Sequence, residues 1–214
     1  EHPVQRADRF FDAPLALVLA ADQTMEEPPL ALAQSWLEET RDYWDDWTRS
    51  LSIPFEWQEA VIRAAISLKL CTYEDTGAVL AALTTSIPES PGSGRNWDYR
   101  YCWLRDSYFV IQALNRLGAT RTMEGYLRFI DRIVASCADR DIAPLYSVSG
   151  EREVTERIVP GLRGYRGMGP VRIGNHAWLQ RQHDVYGAIV LASAHSFFDE
   201  RLTHLGDAVQ FGQL

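Results

Sequence analysis

Residues 95–107, RNWDYRYCWLRDS, combine four aromatic residues, three arginines and two aspartates. The faces of aromatic rings stack on the apolar faces of sugar rings. A guanidinium group and a carboxylate, both held rigidly, bind sugar hydroxyls through hydrogen bonds. For an isolated Arg–Asp pair, an ion pair between a loop and a helix would be the simpler interpretation, but the surrounding aromatic residues favour a carbohydrate pocket. The candidate ligands in this segment are Trp97, Tyr101, Trp103, Arg105 and Asp106.

A second candidate segment, residues 164–187, begins with a glycine-rich loop, GYRGMGPVRIGN. The loop lacks the Lys-Ser/Thr ending and the flanking strand of a phosphate-binding loop, so we interpret it as a wall of the same pocket. Its two histidines, His176 and His183, are seven residues apart, whereas a metal-binding pair on one helical face is four apart. We therefore predict neither a metal site nor a cofactor. The candidate sugar ligands here are Arg166, Arg172, Asn175, Trp178, Gln182 and Asp184.

The periodicity of apolar residues predicts the helices that must carry these ligands. An amphipathic linker helix is expected over residues 30–50, and four more helices follow it, separated by long loops over residues 73–97 and 139–177. The second of the four ends at Gly118, because glycine is a common helix stop. The predicted starts of the four helices, and of a fifth at the end of the chain, are Pro54, Tyr101, Met123, Val185 and Leu205.

Long and short loops alternate between these helices, and this alternation predicts an α/α barrel. In such a fold two rings of antiparallel helices alternate, and the long loops at one rim build the pocket. A complete barrel needs about twelve helices of roughly ten to twenty residues each. The predicted fold class is therefore mainly α, a partial α/α barrel that contains fewer than half of the helices.

The two ends of the chain predict a piece of a longer protein. The chain starts with Glu1 rather than methionine, and its last residues resemble the opening of a helix without a stop signal. Near the start, the apolar run at residues 13–20 predicts a buried strand within residues 10–23. We expect residues 1–29 to be the tail of a preceding domain with its linker, and residues 30–214 to be the N-terminal part of the barrel.

Four motifs resemble consecutive signatures of glycoside hydrolase family 15, the glucoamylase-like enzymes. They are residues 95–106, 144–152, 164–175 and 180–187, and the resemblance covers about residues 30–214. It implies an (α/α)6 barrel preceded by a β-sandwich, of which residues 10–23 would be the final strand. It also implies that Arg105 and Asp106 are the glucose-binding pair, that Trp103 is their neighbouring aromatic residue, and that Trp178 lies in the segment lining the outer sugar subsites.

The resemblance further implies that two glutamates act as general acid and general base, in sequence contexts that do not occur in this chain. Inverting hydrolysis of a glycosidic bond needs both carboxyl groups. We expect both glutamates downstream of Leu214, so we assign no catalytic residue here. Glu151 and Glu153 form a loop pair, which we interpret as solvated surface. The 214 residues alone are predicted to hydrolyse nothing.

Three functions follow from this interpretation. The leading hypothesis is inverting hydrolysis of terminal α-glucosidic bonds in α-glucans or oligosaccharides, as in a glucoamylase. The alternatives are a trehalase that cleaves α,α-trehalose and a non-catalytic sugar-binding α/α module. The predicted ligand is therefore a glucose-containing oligosaccharide or trehalose.

Composition argues against other classes of partner. A net charge of -8, without a dense Lys/Arg run, disfavours binding to nucleic acid or to an anionic membrane. Three scattered cysteines without paired spacing predict reduced thiols and a cytoplasmic protein. Because half of a barrel leaves apolar helix faces unpaired, we also predict self-association through those faces.

Overall fold

A computed structural model of the chain describes residues 14–19, 25–137 and 141–202. The chain divides into two compact units, Glu1–Ser50 and Leu51–Leu214. The first unit contains helix α1, Pro29–Arg49, which agrees with the helix predicted over residues 30–50 and begins with proline, a favourable first residue. Its role as a linker stays a prediction. A strand was predicted over residues 10–23. The structure describes only residues 14–19 of this segment, and they form no strand. The rest of that segment lies outside the described residues, and the β-sandwich stays a prediction.

The described part of the second unit contains four α-helices. Helices α3, Leu104–Arg116, and α4, Thr120–Ser136, are found where helices were predicted, but α3 begins three residues after Tyr101 and α4 three residues before Met123. Helix α5, Asp184–Phe198, agrees with its prediction. Helix α2, Gln58–Leu70, begins later than predicted, because Trp57 before it has a left-handed backbone with φ 60°. The fifth helix, expected from Leu205, lies outside the described residues.

Three two-residue antiparallel ladders occur among the described residues. Most of their strands lie in the predicted loops, but Cys102–Trp103 occupies positions that were predicted to begin a helix at Tyr101. Strand β1, Thr72–Tyr73, pairs with β2, Ala78–Val79, at the start of the first loop. Strand β3, Cys102–Trp103, pairs with β4, Leu145–Tyr146. Strand β5, Arg157–Ile158, pairs with β6, Arg172–Ile173. Strands this short carry no readable alternation, and partners distant in sequence define them, so the sequence pattern could not reveal them.

The core lies between α3, α4 and α5. Ile111 of α3 and Ile189 of α5 are buried, and α4 turns a continuous apolar stripe towards them. The buried apolar side chains of α4 are Met123, Tyr126, Leu127, Phe129, Ile130 and Ile133. The prediction of a mainly helical chain is confirmed. No helix in the described part of the chain is long and apolar enough to span a bilayer.

Candidate carbohydrate-binding site

The start of α3 is fixed by strand pairing, because β3 runs directly into the helix. Trp103 pairs with Leu145 across the β3–β4 ladder, and the amide of Leu104 donates to the carbonyl of Pro144 at 3.1 Å. Asp106 lies in the first helical turn, where the unpaired amides and the helix dipole favour a negative charge. The polar ends of Arg105 and Asp106 are thus held at one end of the helix, and both remain about half exposed.

Arg105 joins the first turns of α3 and α5. Its Nη1 donates to Asp184 Oδ2 at 3.0 Å and to Gln182 Oε1 at 3.2 Å, while its Nη2 donates to Asp106 Oδ2 at 3.3 Å. The hydrogen bond with Asp184 is the main reason why the pKa of Arg105 is raised. The result is a guanidinium held between two carboxylates, a fixed set of donors and acceptors that matches neighbouring hydroxyl groups of a sugar.

Beside this cluster lies a group of aromatic side chains. Trp103 is buried together with Leu145 and Val154, and Tyr99, Tyr101 and Trp178 pack against them while remaining partly exposed. The rings of Tyr99 and Trp103 are 5.8 Å apart and tilted by 41°. Trp178 Nε1 is buried and finds no hydrogen-bond acceptor among the described residues. The partly exposed aromatic faces form an apolar surface that is suited to stacking on a sugar ring.

The other predicted ligands, Arg172, Arg166 and Asn175, mainly contact other groups of the protein. Arg172 stacks on Trp97, with its Cζ 5.0 Å from the ring, and its Nη1 donates to Glu156 Oε1 at 2.7 Å. Arg166 is exposed and lies over the ring of Tyr165 at 5.3 Å. Within the described residues no contact joins Arg166 to the Arg105 cluster, so its role in sugar binding stays a prediction.

Asn175 is buried, and both ends of its amide are occupied by the protein. Its Nδ2 donates to the carbonyl of Asp98 at 3.0 Å, and its Oδ1 accepts from the amide of Ala177 at 3.0 Å. The second bond caps the short 3₁₀ turn His176–Leu179, which carries Trp178. The geometry therefore gives Asn175 a structural function in this turn, while direct contact with a sugar stays a prediction.

The family model of glycosyl hydrolases family 15 matches residues 56–211 of the 214-residue chain. The chain belongs to this family. The match covers the motifs on which the sequence resemblance rests, from the β3–α3 junction to the start of α5. No solved structure matches the chain.

Curated relatives of this family 15 chain are named trehalases. One from Mycolicibacterium smegmatis is 42% identical over 173 residues, which is 79% of this chain and 25% of the relative. One from Thermoplasma volcanium is 43% identical over 160 residues, 73% of this chain and 25% of the relative. Trehalase 1 of Sulfolobus acidocaldarius is 38% identical over 152 residues, 71% of this chain and 26% of the relative. The chain thus spans about a quarter of the length of the curated relatives it matches.

Two described glutamates near the candidate site, Glu89 and Glu156, form ion pairs with arginines. A general acid must stay protonated near neutral pH, so its pKa has to be raised. A hydrogen bond from Arg95 instead lowers the pKa of Glu89, which also accepts from the hydroxyl of Tyr99 at 3.2 Å. Glu156 is held in its ion pair with Arg172. The family 15 site described here therefore holds candidate binding groups without an assigned acid or base.

Asp98 is the residue that the sequence analysis missed. Its carboxylate has no exposed surface and is bonded to Arg100 and to the amide of Gly174. The available signal was the arginine two residues later, which pairs with Asp98 in the structure. Among the described residues, no group of three or more His, Cys, Asp or Glu side chains is placed to hold a metal ion.

Cys102, in strand β3, makes the free energy of unfolding depend on pH. Burial raises the pKa of its thiol from the ordinary 9.0 to about 11. The folded chain therefore holds this proton more tightly than the unfolded chain, and the resulting stability is present below pH 9 and lost as the pH rises towards 11. We expect the free energy of unfolding to fall over this range by about 2 kcal/mol more in the wild type than in Cys102→Ala.

Urea unfolding of both proteins at about pH 8.5 and about pH 10.5 measures this difference. Burial also raises the pKa of Tyr126 and Tyr146. Both proteins retain these tyrosines, and burial, the main cause of their raised pKa, acts on them in both proteins. An equal loss of stability in the two proteins would contradict the assignment to Cys102.

Proposed function

We propose that this chain forms the glucose-binding wall of a glycosidase that hydrolyses α,α-trehalose with inversion at one anomeric carbon. The observation that carries the proposal is the cluster of Arg105 between Asp106 and Asp184, beside the aromatic group around Trp103. The sequence analysis favoured a glucoamylase-type substrate and kept trehalose as an alternative. The names of the relatives support trehalose, so it becomes the leading substrate.

The cluster suits a neutral, hydroxyl-rich ligand because donors and acceptors alternate in it. The carboxylates of Asp106 and Asp184 accept from sugar hydroxyls, while the guanidinium of Arg105 donates to sugar oxygens. Hydrogen bonds to charged groups contribute about 1.5–3 kcal/mol each, so a few of them fix the orientation of one glucose ring. The aromatic group provides the apolar face against which this ring stacks.

The reaction requires two carboxyl groups that this proposal does not assign to the described residues. One protonates the oxygen between the two sugars, and the other activates the attacking water on the opposite face of the ring. The groups of this chain hold the ring while the glycosidic bond breaks and the water oxygen bonds to its anomeric carbon. Binding energy of this kind accelerates the reaction when the contacts strengthen in the transition state.

The test uses the protein encoded by the complete reading frame, incubated separately with trehalose and maltose. We expect trehalose to be cleaved with a kcat/KM at least about a hundredfold higher than that for maltose, a difference of about 2.7 kcal/mol. Early NMR spectra of the trehalose reaction should show equal amounts of α- and β-glucose, because inversion changes only the attacked carbon. The 214-residue chain alone is expected to release no glucose.

Each alternative gives a different result in this experiment. Preference for maltose would show a glucoamylase-type enzyme, which is the second candidate because the same cluster would grip the terminal glucose of an α-glucan. Early formation of α-glucose alone would contradict inversion. Binding of either sugar by the complete protein without release of glucose would show a non-catalytic module.

A further inference from the structure

Asp98, within the aromatic-rich residues 95–107, is a fully buried aspartate. Its Oδ1 accepts from the backbone amide of Arg100 at 3.1 Å and from Arg100 Nε at 2.9 Å. Its Oδ2 accepts from Arg100 Nη2 at 2.9 Å and from the amide of Gly174 at 3.2 Å. A buried charge is tolerated only when a charged partner and hydrogen bonds replace its water, and these four N–H groups do so.

The backbone of Asp98 holds the same neighbouring segment. Its carbonyl accepts from Asn175 Nδ2, and the other end of that amide caps the turn that contains Trp178. Position 174 requires glycine, because its φ is +84° and a Cβ added there would lie 2.1 Å from the carbonyl oxygen of Thr155. Two independent links thus run from Asp98 to the segment leading into Trp178.

The position of Trp178 matters because its ring packs against the group around Trp103, two residues before Arg105. We propose that Asp98 is a positioning residue, which holds residues 174–178 so that the Trp178 ring and the Arg105–Asp106 pair contact the same sugar. This inference rests on the proposed function for its substrate. It adds a residue that acts on sugar affinity without touching the sugar.

The chain contains a matched control for this residue. Asp199 also precedes an arginine by two positions, and its Oδ1 accepts from Arg201 N at 3.1 Å and from Arg201 Nε at 2.9 Å. Its Oδ2 accepts from Arg201 Nη2 at 2.6 Å. The two Asp-x-Arg ion pairs therefore share their local geometry, but Asp199 follows the end of α5, away from the Trp178 segment. Asp199→Asn removes the same kind of ion pair without a link to residues 174–178.

The kinetic test compares Asp98→Asn with Asp199→Asn in the protein from the complete reading frame, with trehalose as substrate. An amide cannot accept all four hydrogen bonds of Asp98, so the link to Gly174 or that to Arg100 is lost. We expect KM to rise about tenfold in Asp98→Asn with kcat within about twofold of wild type, the pattern of lost substrate binding. Asp199→Asn should leave both constants unchanged. An unchanged KM in Asp98→Asn, or a fall in kcat alone, would overturn the inference.

Hydrogen exchange provides a readout that does not depend on the substrate. The amides of residues 174–179 should exchange about tenfold faster in Asp98→Asn than in Asp199→Asn, because the segment has lost its link to the Asp98 carboxylate. Equal exchange in the two variants would overturn the positioning role even if the enzyme is active. Conversely, if the wild type does not cleave trehalose, the proposed function fails while the exchange experiment still decides the role of Asp98.

A second variant keeps the test decisive if Asp98→Asn does not fold. In Asn175→Ser, serine can still cap the turn, but its side chain is too short to reach the carbonyl of Asp98. In this variant KM should also rise and the amides of residues 174–179 should also exchange faster. Both changes should be smaller than in Asp98→Asn, because the Gly174 link remains. Wild-type exchange and wild-type KM in Asn175→Ser would overturn the inference.

Discussion

Replacing Arg105 with lysine is expected to lower kcat/KM for trehalose about a hundredfold, a loss of about 2.7 kcal/mol in transition-state stabilisation. The guanidinium now bridges Asp184, Gln182 and Asp106 with two nitrogens that point in different directions. A lysine keeps the positive charge but has a single nitrogen on a flexible stem, so it cannot hold both helix starts and donate to a sugar in a fixed geometry. Steady-state kinetics on the complete protein measures the effect.

The control for this substitution is Arg181→Lys, which changes another exposed arginine that is paired with an aspartate. Arg181 forms an ion pair with Asp141, and its side chain is 76% exposed. Exposed pairs of this kind contribute about 0–1 kcal/mol, so we expect kcat/KM to stay within about twofold of wild type. If Arg105→Lys also stays near the wild-type value, Arg105 only ties α3 to α5, and the proposed sugar contact is wrong.

Replacing Gly77 with alanine is expected to lower the free energy of unfolding by about 4 kcal/mol. Gly77 lies in the turn between β1 and β2, with φ +84°, and this turn approaches the backbone of α4. A Cβ added at Gly77 would lie 2.0 Å from the carbonyl oxygen of Gly125, so the turn or the helix must move. Urea unfolding of Gly77→Ala against wild type measures the loss.

Two other glycines separate the contributions to this loss. Gly92 has a similar φ of +71°, but a Cβ there would meet nothing within 4 Å, so Gly92→Ala should cost only about 1 kcal/mol from backbone strain. Gly125 faces Gly77 from within α4, and its added Cβ would make an ordinary 3.5 Å contact. Gly125→Ala should be neutral or stabilise the helix by up to about 1 kcal/mol. Similar losses in Gly77→Ala and Gly92→Ala would show that the close approach does not contribute.

The helices were predictable because they follow from the spacing of apolar residues that are close in sequence. In α4, apolar residues recur every three or four positions, and nearly all of them are buried in the structure. In α3, the stop at Gly118 was equally visible, and the structure places this glycine two residues after the helix with φ +83°. The start of α2 was predicted too early, because no local pattern reveals that Trp57 adopts a left-handed backbone.

The candidate site was predictable in its composition but not in its connections. The residue types of the segment ending in Arg105 and Asp106 predicted a sugar pocket, and the family match confirms the recognition on which this prediction rests. The pairing of Arg105 with Asp184 joins residues 79 positions apart, and no local pattern specifies such a pair. The same holds for the contact between Asp98 and Gly174, which are 76 positions apart.

The sequence by itself determined the family, the helices and the chemical character of the candidate site. These features depend on the types of side chain and on the spacing of residues that are close in sequence. Only the tertiary structure decided which polar groups stay exposed and which are buried in contacts within the protein. The physical reason is that a polar group removed from water must find a partner nearby. Asn175 and Asp98 therefore bond to the protein, whereas Arg105 and Asp106 stay half exposed at the start of α3.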